Sequence, residues 1–355
     1  MNGPILIMAG GTGGHIFPGI AVGRELRARG IAVVWLGGKV GLEGRLVPEA
    51  GFELETLDFS GVRGKGVLTL ALAPLRLLRA ILAAYRILRR LHPVSVLSMG
   101  GYAAAPGGIA AWLARVPMVV HEQNRVPGMT NRLLSRLAKR TLSGFADSFA
   151  DAEWVGNPVR KEISALPAPQ QRFGGREGAV RILVLGGSQG AQSLNTMLPD
   201  VIQRRGDRVP LQIRHQCGAR HLEKTRAAYA NVQLEVNVEA FVEDMAAAYA
   251  WADLVICRAG ALTIAELCAV GVGSILVPFP QAVDDHQTRN AEVLLNAGAA
   301  RLVAEGDGFV KRLGGCLDEL DRDRPRLLKM ASVARGLAQP DSVARIADIC
   351  IKVAA

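Results

Sequence analysis

Aromatic residues are scarce in this sequence, 5% of 355 residues, with only four Trp and four Tyr. Single-stranded nucleic acid is gripped by rings that stack on bases beside runs of basic residues. Neither is concentrated anywhere in the chain, which sets a nucleic-acid-binding function aside. The five cysteines (217, 257, 268, 316, 350) are odd in number, and none forms a Cys-x-x-Cys. That argues against a disulfide-framed scaffold and fits a reducing compartment. The chain opens directly on a strand pattern, so no targeting peptide is expected. The stretch 67–73 is unusually apolar for a loop, but Arg76 and Arg79 break the run, well short of the roughly 20 apolar residues that cross a bilayer. Short-period repeats and low-complexity segments are also missing.

What is present is a pair of glycine-rich loops. Gly10-Gly11-Thr12-Gly13-Gly14-His15 follows the apolar run 5–9, and Gly186-Gly187-Ser188-Gln189-Gly190-Ala191 follows 182–185. Each reads as a buried parallel strand, a tight turn and a helix. Such a turn aims free N–H groups and a positive helix end at an anion, usually a phosphate. Neither loop carries the dinucleotide fingerprint Gly-x-Gly-x-x-Gly, and the expected acid is missing where 32–36 runs into Gly37-Gly38. No Gly-Lys-Ser/Thr follows either loop, which excludes a P-loop.

The rest of the pattern repeats this unit. Strands are expected at 4–9, 32–36, 94–98, 117–121 and 140–143, with helices at 18–29, 41–50, 74–91, 105–114 and 128–138. A hinge at 155–160 and 166–169 precedes a restart at Val180. Strands recur near 181–185, 211–215, 232–236, 254–257, 274–277 and 300–303. The expected fold is α/β: two Rossmann-like parallel-sheet domains facing each other across a cleft. The divisions are 1–158, 159–340 and a last helix over 341–355 that returns to the first domain.

Charge is uneven. Residues 1–160 hold 19 Lys/Arg against 10 Asp/Glu, whereas 161–355 hold 23 against 22. The surplus in the first half suggests an anionic partner, and a solubility charge is the plainer alternative. On the helix at 74–91, Arg76, Arg79, Arg86, Arg89 and Arg90 fall within roughly 140° on a wheel, with Leu75, Leu78, Ile81, Leu82 and Tyr85 mostly elsewhere. Two readings stand: an ordinary helix with a solvated face, or a surface that rests on anionic lipid.

Several strand ends carry polar groups. His15 lies at a helix start, where the positive end disfavours an imidazolium and leaves a neutral base. Gly100-Gly101-Tyr102 and His121-Glu122-Gln123-Asn124 follow two other strands and reach the same sheet edge, where open α/β sheets bind ligands. In the second half, Thr263 and Glu266 have capping-box spacing. The functional alternative is that Glu266 accepts from two ribose hydroxyls while the turn before it holds a diphosphate. The cluster Asp284 to Asn290 is suited to reading sugar hydroxyls. A metal at Asp284, Asp285 and His286 lacks a matching ligand set, so neither metal nor cofactor is expected.

Taken in order, the two glycine loops, 100–102, 121–124, Gly156-Asn157-Pro158-Val159-Arg160 and 258–263 resemble one family over essentially the whole chain. It is glycosyltransferase family 28, and within it the N-acetylglucosaminyltransferases of bacterial peptidoglycan synthesis. The resemblance implies a GT-B fold and inverting transfer of N-acetylglucosamine from UDP-N-acetylglucosamine to the 4-hydroxyl of the muramoyl sugar of lipid I. It implies peripheral attachment at the cytoplasmic face of the bacterial inner membrane, with the patch near 67–90 meeting anionic lipid. By the same resemblance, Arg160 and Ser188 touch the diphosphate or its sugar and Val242 the uracil. Ala261, Leu262, Thr263, Ile264, Ala265 and Glu266 line the diphosphate and ribose, and Gln287 holds the transferred sugar. Thr12, Gly13, Gly14 and Asn124 close over that sugar. Gly14, His15, Gly101, Tyr102 and Asn124 take the acceptor. His15 is the expected base, with Glu122 the alternative. The chain departs from the family pattern at Ala259, at His286 and over 280–283. A transferase for another lipid, a UDP-N-acetylglucosamine epimerase and a non-catalytic membrane scaffold are the competing functions.

Overall fold

A strand that is apolar at every position must be covered on both faces, and the runs 5–9 and 254–257 are of that kind, each in a strand group of its own. In the computed structural model, which describes residues 3–39, 41–59, 72–187, 190–206 and 209–354, the strands build two separate parallel sheets. The chain divides into one unit of residues 1–159 with 339–355 and another of 160–338.

The first unit holds β1 (Ile5–Ala9), β2 (Val33–Gly38), β3 (Glu53–Leu57), β4 (Ser95–Gly100), β5 (Met118–Glu122), β6 (Arg140–Ser143) and β7 (Glu153–Trp154). Their order across the sheet is β3-β2-β1-β4-β5-β6-β7, all parallel. Side chains alternate along β1. Ile5, Ile7 and Ala9 pack under α1 (Gly13–Ala28), α2 (Glu43–Glu49) and the final helix Ser342–Ala354, whose Ile346, Ala347, Cys350 and Val353 join that core. Leu6 and Met8 face the opposite side, toward α3 (Ala73–Leu91), α4 (Ala104–Leu113) and α5 (Met129–Ser135).

The second unit repeats the plan. Its strands are β8 (Val180–Leu185), β9 (Leu211–Gln216), β10 (Glu235–Glu239), β11 (Leu254–Cys257), β12 (Gly273–Leu276) and β13 (Ala300–Leu302). They run in the order β10-β9-β8-β11-β12-β13, again all parallel. Its helices include α6 (Lys161–Ser164), α7 (Pro169–Phe173), α8 (Gln192–Arg205), α9 (Leu222–Ala228), α10 (Met245–Trp251), α11 (Ala261–Val270) and α12 (His286–Ala297). After these come α13 (Phe309–Leu320), α14 (Arg324–Gly336) and the returning helix as α15 (Ser342–Ala354). In each sheet the strand order reverses beside the first strand, between β1 and β4 and between β8 and β11. These reversals are where doubly wound sheets leave a crevice at their carboxyl ends.

The structure departs from the sequence expectations in several places. The helix expected from residue 18 begins at Gly13, because Thr12 is extended (φ −128°, ψ 156°) and serves as N-cap, with Pro18 held inside the helix. The edge strands β3 and β7 are additional, and β10 lies three residues later than 232–236. Thr263 is no cap: Gly260 caps α11, which places Thr263 inside its first turn and removes the capping-box reading. On α3 the buried seam is Ala80, Ala84 and Leu88, small enough for close packing on α4. Leu75, Leu78 and Leu82 stand 47%, 53% and 49% exposed, among the arginines rather than apart from them. Ser188 and the apolar residues 67–71 lie outside the described residues.

Candidate active site

The first glycine loop leaves β1 at the reversal of the first sheet, and its shape is set by a buried carboxylate. Glu43, at the start of α2, accepts from the Gly11 amide at 3.1 Å and the Gly38 amide at 3.0 Å. Thr12 makes no side-chain cap bond, so the opening turn of α1 presents Gly13 and Gly14 amides at a positive helix end. The loop after β4 meets this one backbone to backbone. Gly101 has φ +91°, and a Cβ there would stand 2.2 Å from Gly10 O. Only glycine fits. Gly100 packs on the His15 ring, and the exposed Tyr102 ring lies beside Gly11.

The end of β5 completes this cluster. His15 Nδ1 lies 2.8 Å from Gln123 Oε1. Gln123 Nε2 donates to His121 Nδ1 at 3.1 Å and to His121 O at 3.0 Å. His121 Nε2 lies 2.9 Å from Gly156 O. Burial pushes the His121 imidazole down to about 4, against the opposing pull of the Gly156 carbonyl and the Glu122 charge. The Glu122 carboxylate, 1% exposed, is fully engaged. Oε1 accepts from Asn124 N (2.8 Å) and Nδ2 (3.3 Å), and Oε2 from Gly128 N (3.1 Å) and Asn131 Nδ2 (2.9 Å). Four donors on two oxygens fill the carboxylate's ordinary capacity. Glu122 therefore shapes the loop that carries Asn124.

At the reversal of the second sheet, Gln216 does for its glycine loop what Glu43 does for the first. It accepts from Gly187 N at 2.9 Å and donates to Gly187 O and Ala240 O, each at 3.0 Å. The Ala240 contact ties in the loop after β10, where Val242 sits half-buried. Opposite, α11 starts at Ala261, so residues 261–266 form its first turns. Glu266 accepts from Arg160 at 3.2 Å and from the Tyr249 hydroxyl at 3.0 Å. Burial raises its carboxyl above the usual range, with Arg160 and Tyr249 working in the other direction. Gln287 accepts from Phe279 N at 2.9 Å, in the first turn of α12. Asp285 and His286 are engaged locally, with Thr288 Oγ1 donating to Asp285 and His286 Nδ1 to Val283 O.

Within the first unit, His15, Gly101, Tyr102, Glu122 and Asn124 thus share one edge. Within the second, Arg160 and Glu266 are brought into direct contact. Sequence reasoning missed Glu43, Asn131, Gln216 and Tyr249, and it gave Gln123 no role. These residues act on loops distant in sequence, so no local pattern marks them.

Sequence comparison decides the family. Residues 5–143 match the glycosyltransferase family 28 N-terminal domain, and 181–346 match its C-terminal domain. The chain belongs to glycosyltransferase family 28. It is 57% identical over 350 residues to a relative from Xylella fastidiosa (strain M12), covering 98% of this chain and 96% of that protein. A relative from Xanthomonas campestris pv. campestris (strain 8004) is 56% identical over 351 residues, covering 99% of this chain and 82% of that one. Both are named UDP-N-acetylglucosamine–N-acetylmuramyl-(pentapeptide) pyrophosphoryl-undecaprenol N-acetylglucosamine transferase. The crystal structure of Acinetobacter baumannii MurG superposes with TM-score 0.88 at 39% identity, covering 99% of each chain. The family 28 assignment agrees with the two doubly wound sheets.

Proposed function

We propose that the chain transfers N-acetylglucosamine from UDP-N-acetylglucosamine to the 4-hydroxyl of the muramoyl sugar of lipid I, with inversion, forming lipid II. The reaction is the one named for relatives that match nearly the whole chain. An inverting transfer needs a base for the incoming hydroxyl and stabilisation of the departing diphosphate. His15 is the base. The observation that carries this role is its half-buried ring at the ligand edge, with Nδ1 engaged by Gln123 and Nε2 left for a hydroxyl. Glu122, the alternative base, has its lone pairs occupied by four donors.

The donor belongs to the second unit. The start of α11 and Arg160 meet the diphosphate, as a helix N-terminus and a guanidinium do for phosphates generally. Arg160 then leaves Glu266, whose carboxylate accepts from the ribose. Ser188 adds to the diphosphate side, Val242 lies against the uracil and Gln287 holds the sugar. Thr12, Gly13, Gly14 and Asn124 also contact that sugar, while Gly14, His15, Gly101, Tyr102 and Asn124 serve the acceptor.

The acceptor's lipid places the work at a membrane surface, the cytoplasmic face of the inner membrane. The exposed leucines of α3 among Arg76, Arg79, Arg86, Arg89 and Arg90 suit the headgroup boundary, where apolar side chains enter and guanidiniums meet anionic lipid. Among the described residues no helix is long and apolar enough to cross a membrane.

The test is transfer of radiolabelled N-acetylglucosamine to a short-chain lipid I analogue. Wild type transfers, and a folded His15→Ala variant that still binds UDP is nearly inactive. Equal transfer by both removes His15 as base. UDP binding without transfer by wild type removes lipid I as the acceptor.

A further inference from the structure

We infer that Gln123 and His121 are positioning residues that set the tautomer of His15, through a neutral relay starting at the Gly156 carbonyl. The inference rests on the reading of His15 as base, and extends it from the residue to the nitrogen.

The hydrogen-bond network admits one assignment of protons. Gly156 O can only accept, so the His121 nitrogen 2.9 Å away, Nε2, carries a hydrogen. His121 is fully buried and neutral at ordinary pH, so its Nδ1 has a lone pair. The Gln123 atom 3.1 Å from that lone pair must therefore be the amide nitrogen. A second carbonyl reaches the same conclusion independently: His121 O, 3.0 Å from the same atom, also accepts only. With its NH2 group committed twice, Gln123 must turn Oε1 to His15 Nδ1 at 2.8 Å. An amide oxygen accepts, so His15 Nδ1 carries the hydrogen and the neutral ring has its lone pair on Nε2.

The relay is held at both ends. Asn157 Nδ2 donates to Gln123 O at 2.9 Å, and Ser342 Oγ donates to Asn157 O at 2.9 Å. Asn131 Nδ2 donates to His121 O at 3.2 Å. Gly100, where a Cβ would stand 3.3 Å from His15 Nδ1, leaves room for the ring beside the loop after β4. In serine hydrolases a buried carboxylate orients the histidine and also stabilises its cation. Here an uncharged amide does the orienting, so no net charge is placed beside the ring by its partner. A base with a free Nε2 is ready to take the acceptor proton without tautomer exchange.

The experiment is nitrogen NMR on the full chain labelled with 15N-histidine, with a His15→Gln variant assigning the His15 signals by their loss. Kinetics are run beside it on Gln123→Met, which keeps side-chain length but has no amide. In wild type with the ring neutral, His15 is expected to carry its proton on Nδ1. In Gln123→Met the proton is expected to spread to Nε2, with kcat falling about 10- to 100-fold, inside the range of a general base's contribution, and the donor KM within about twofold. A merely structural glutamine would leave the tautomer alone. A wild-type proton on Nε2 overturns the relay, as does a Gln123→Met protein with unchanged tautomer. If the tautomer shifts as expected but His15→Ala still transfers, the relay stands and the base assignment falls.

Discussion

Tyr249, fully buried in the second unit, donates its hydroxyl to Glu266 Oε2 at 3.0 Å. The same carboxylate accepts from Arg160 on its other oxygen. Burial pushes the Tyr249 phenol up, so it remains a donor at any working pH. On the proposed reading of Glu266 as the ribose acceptor, one of these two donors gives way to ribose hydroxyls.

That arrangement sets function against stability. The Glu266 carboxyl is raised above its ordinary value, chiefly by burial. A raised acid favours folding while protonated, and this advantage is lost as pH climbs from the ordinary carboxyl value through the raised one. At neutral pH the buried charge is thus a cost. Glu266→Gln is expected to hold or raise Tm at neutral pH while UDP affinity falls about tenfold, the scale of one charge-assisted hydrogen bond. Calorimetric titration and thermal unfolding read both, and a lower Tm with unchanged affinity contradicts the assignment.

Glu43 is the brace under the first glycine loop. Replacing it with Ala strands the Gly11 and Gly38 amides, which is expected to cost about 2–4 kcal/mol. Glu43→Gln retains one acceptor and costs about half as much. Denaturant unfolding orders the three proteins. UDP binding, assigned to the other unit, stays within about twofold in either variant if only the first loop is disturbed.

Acid sensitivity in the second unit centres on His215. Its Nδ1 accepts from the Tyr229 hydroxyl at 3.0 Å and its Nε2 faces Asn195 Oδ1 at 3.1 Å. Burial holds its imidazole down at about 4. Above its ordinary value, about 6.5, neither folded nor unfolded chain is charged there. Below it the unfolded chain binds a proton that the folded one refuses. Stability falls until about pH 4, by about 3 kcal/mol from this group. Urea unfolding across that window should show the slope, and His215→Gln should flatten part of it. Equal slopes in the two proteins place the acid sensitivity elsewhere.

The outward leucines of α3 offer a test of the membrane surface. Leu75→Gln, Leu78→Gln and Leu82→Gln together remove exposed apolar area and leave the Ala80–Ala84–Leu88 seam alone. Binding to anionic vesicles is expected to drop more than tenfold, with UDP affinity and Tm unchanged. Undiminished vesicle binding would return the helix to its plainer reading.

Much of this architecture is written in local pattern. β1 and β11 are apolar at every position and β8 at all but Arg181, the pattern of a parallel strand covered on both faces. The glycines, His15 and the 121–124 run lie at the ends of parallel strands, so their common edge follows from parallel order alone. Edge strands such as Glu53–Leu57 escaped notice because one covered face leaves a mostly polar sequence. The α3 leucines face outward because Leu75 and Leu82 fall inside the arginine arc at 100° per residue, while the opposite arc meets the core. Small residues at 80 and 84 won that contact through close packing.

Tertiary structure alone decided which side chains act on the loops. Glu43 reaches back 32 residues to Gly11, Gln123 reaches His15 across 108, and Gln216 meets Gly187 across 29. Periodicity reports burial, because burial repeats with each turn or pleat. A hydrogen bond between distant segments depends on where two strand ends come to rest, and that is set by sheet order. The sequence therefore determined the two-sheet plan and the strand ends where chemistry gathers. Only the folded chain decided that four donors surround the Glu122 carboxylate and that Gln123 meets His15 at Nδ1.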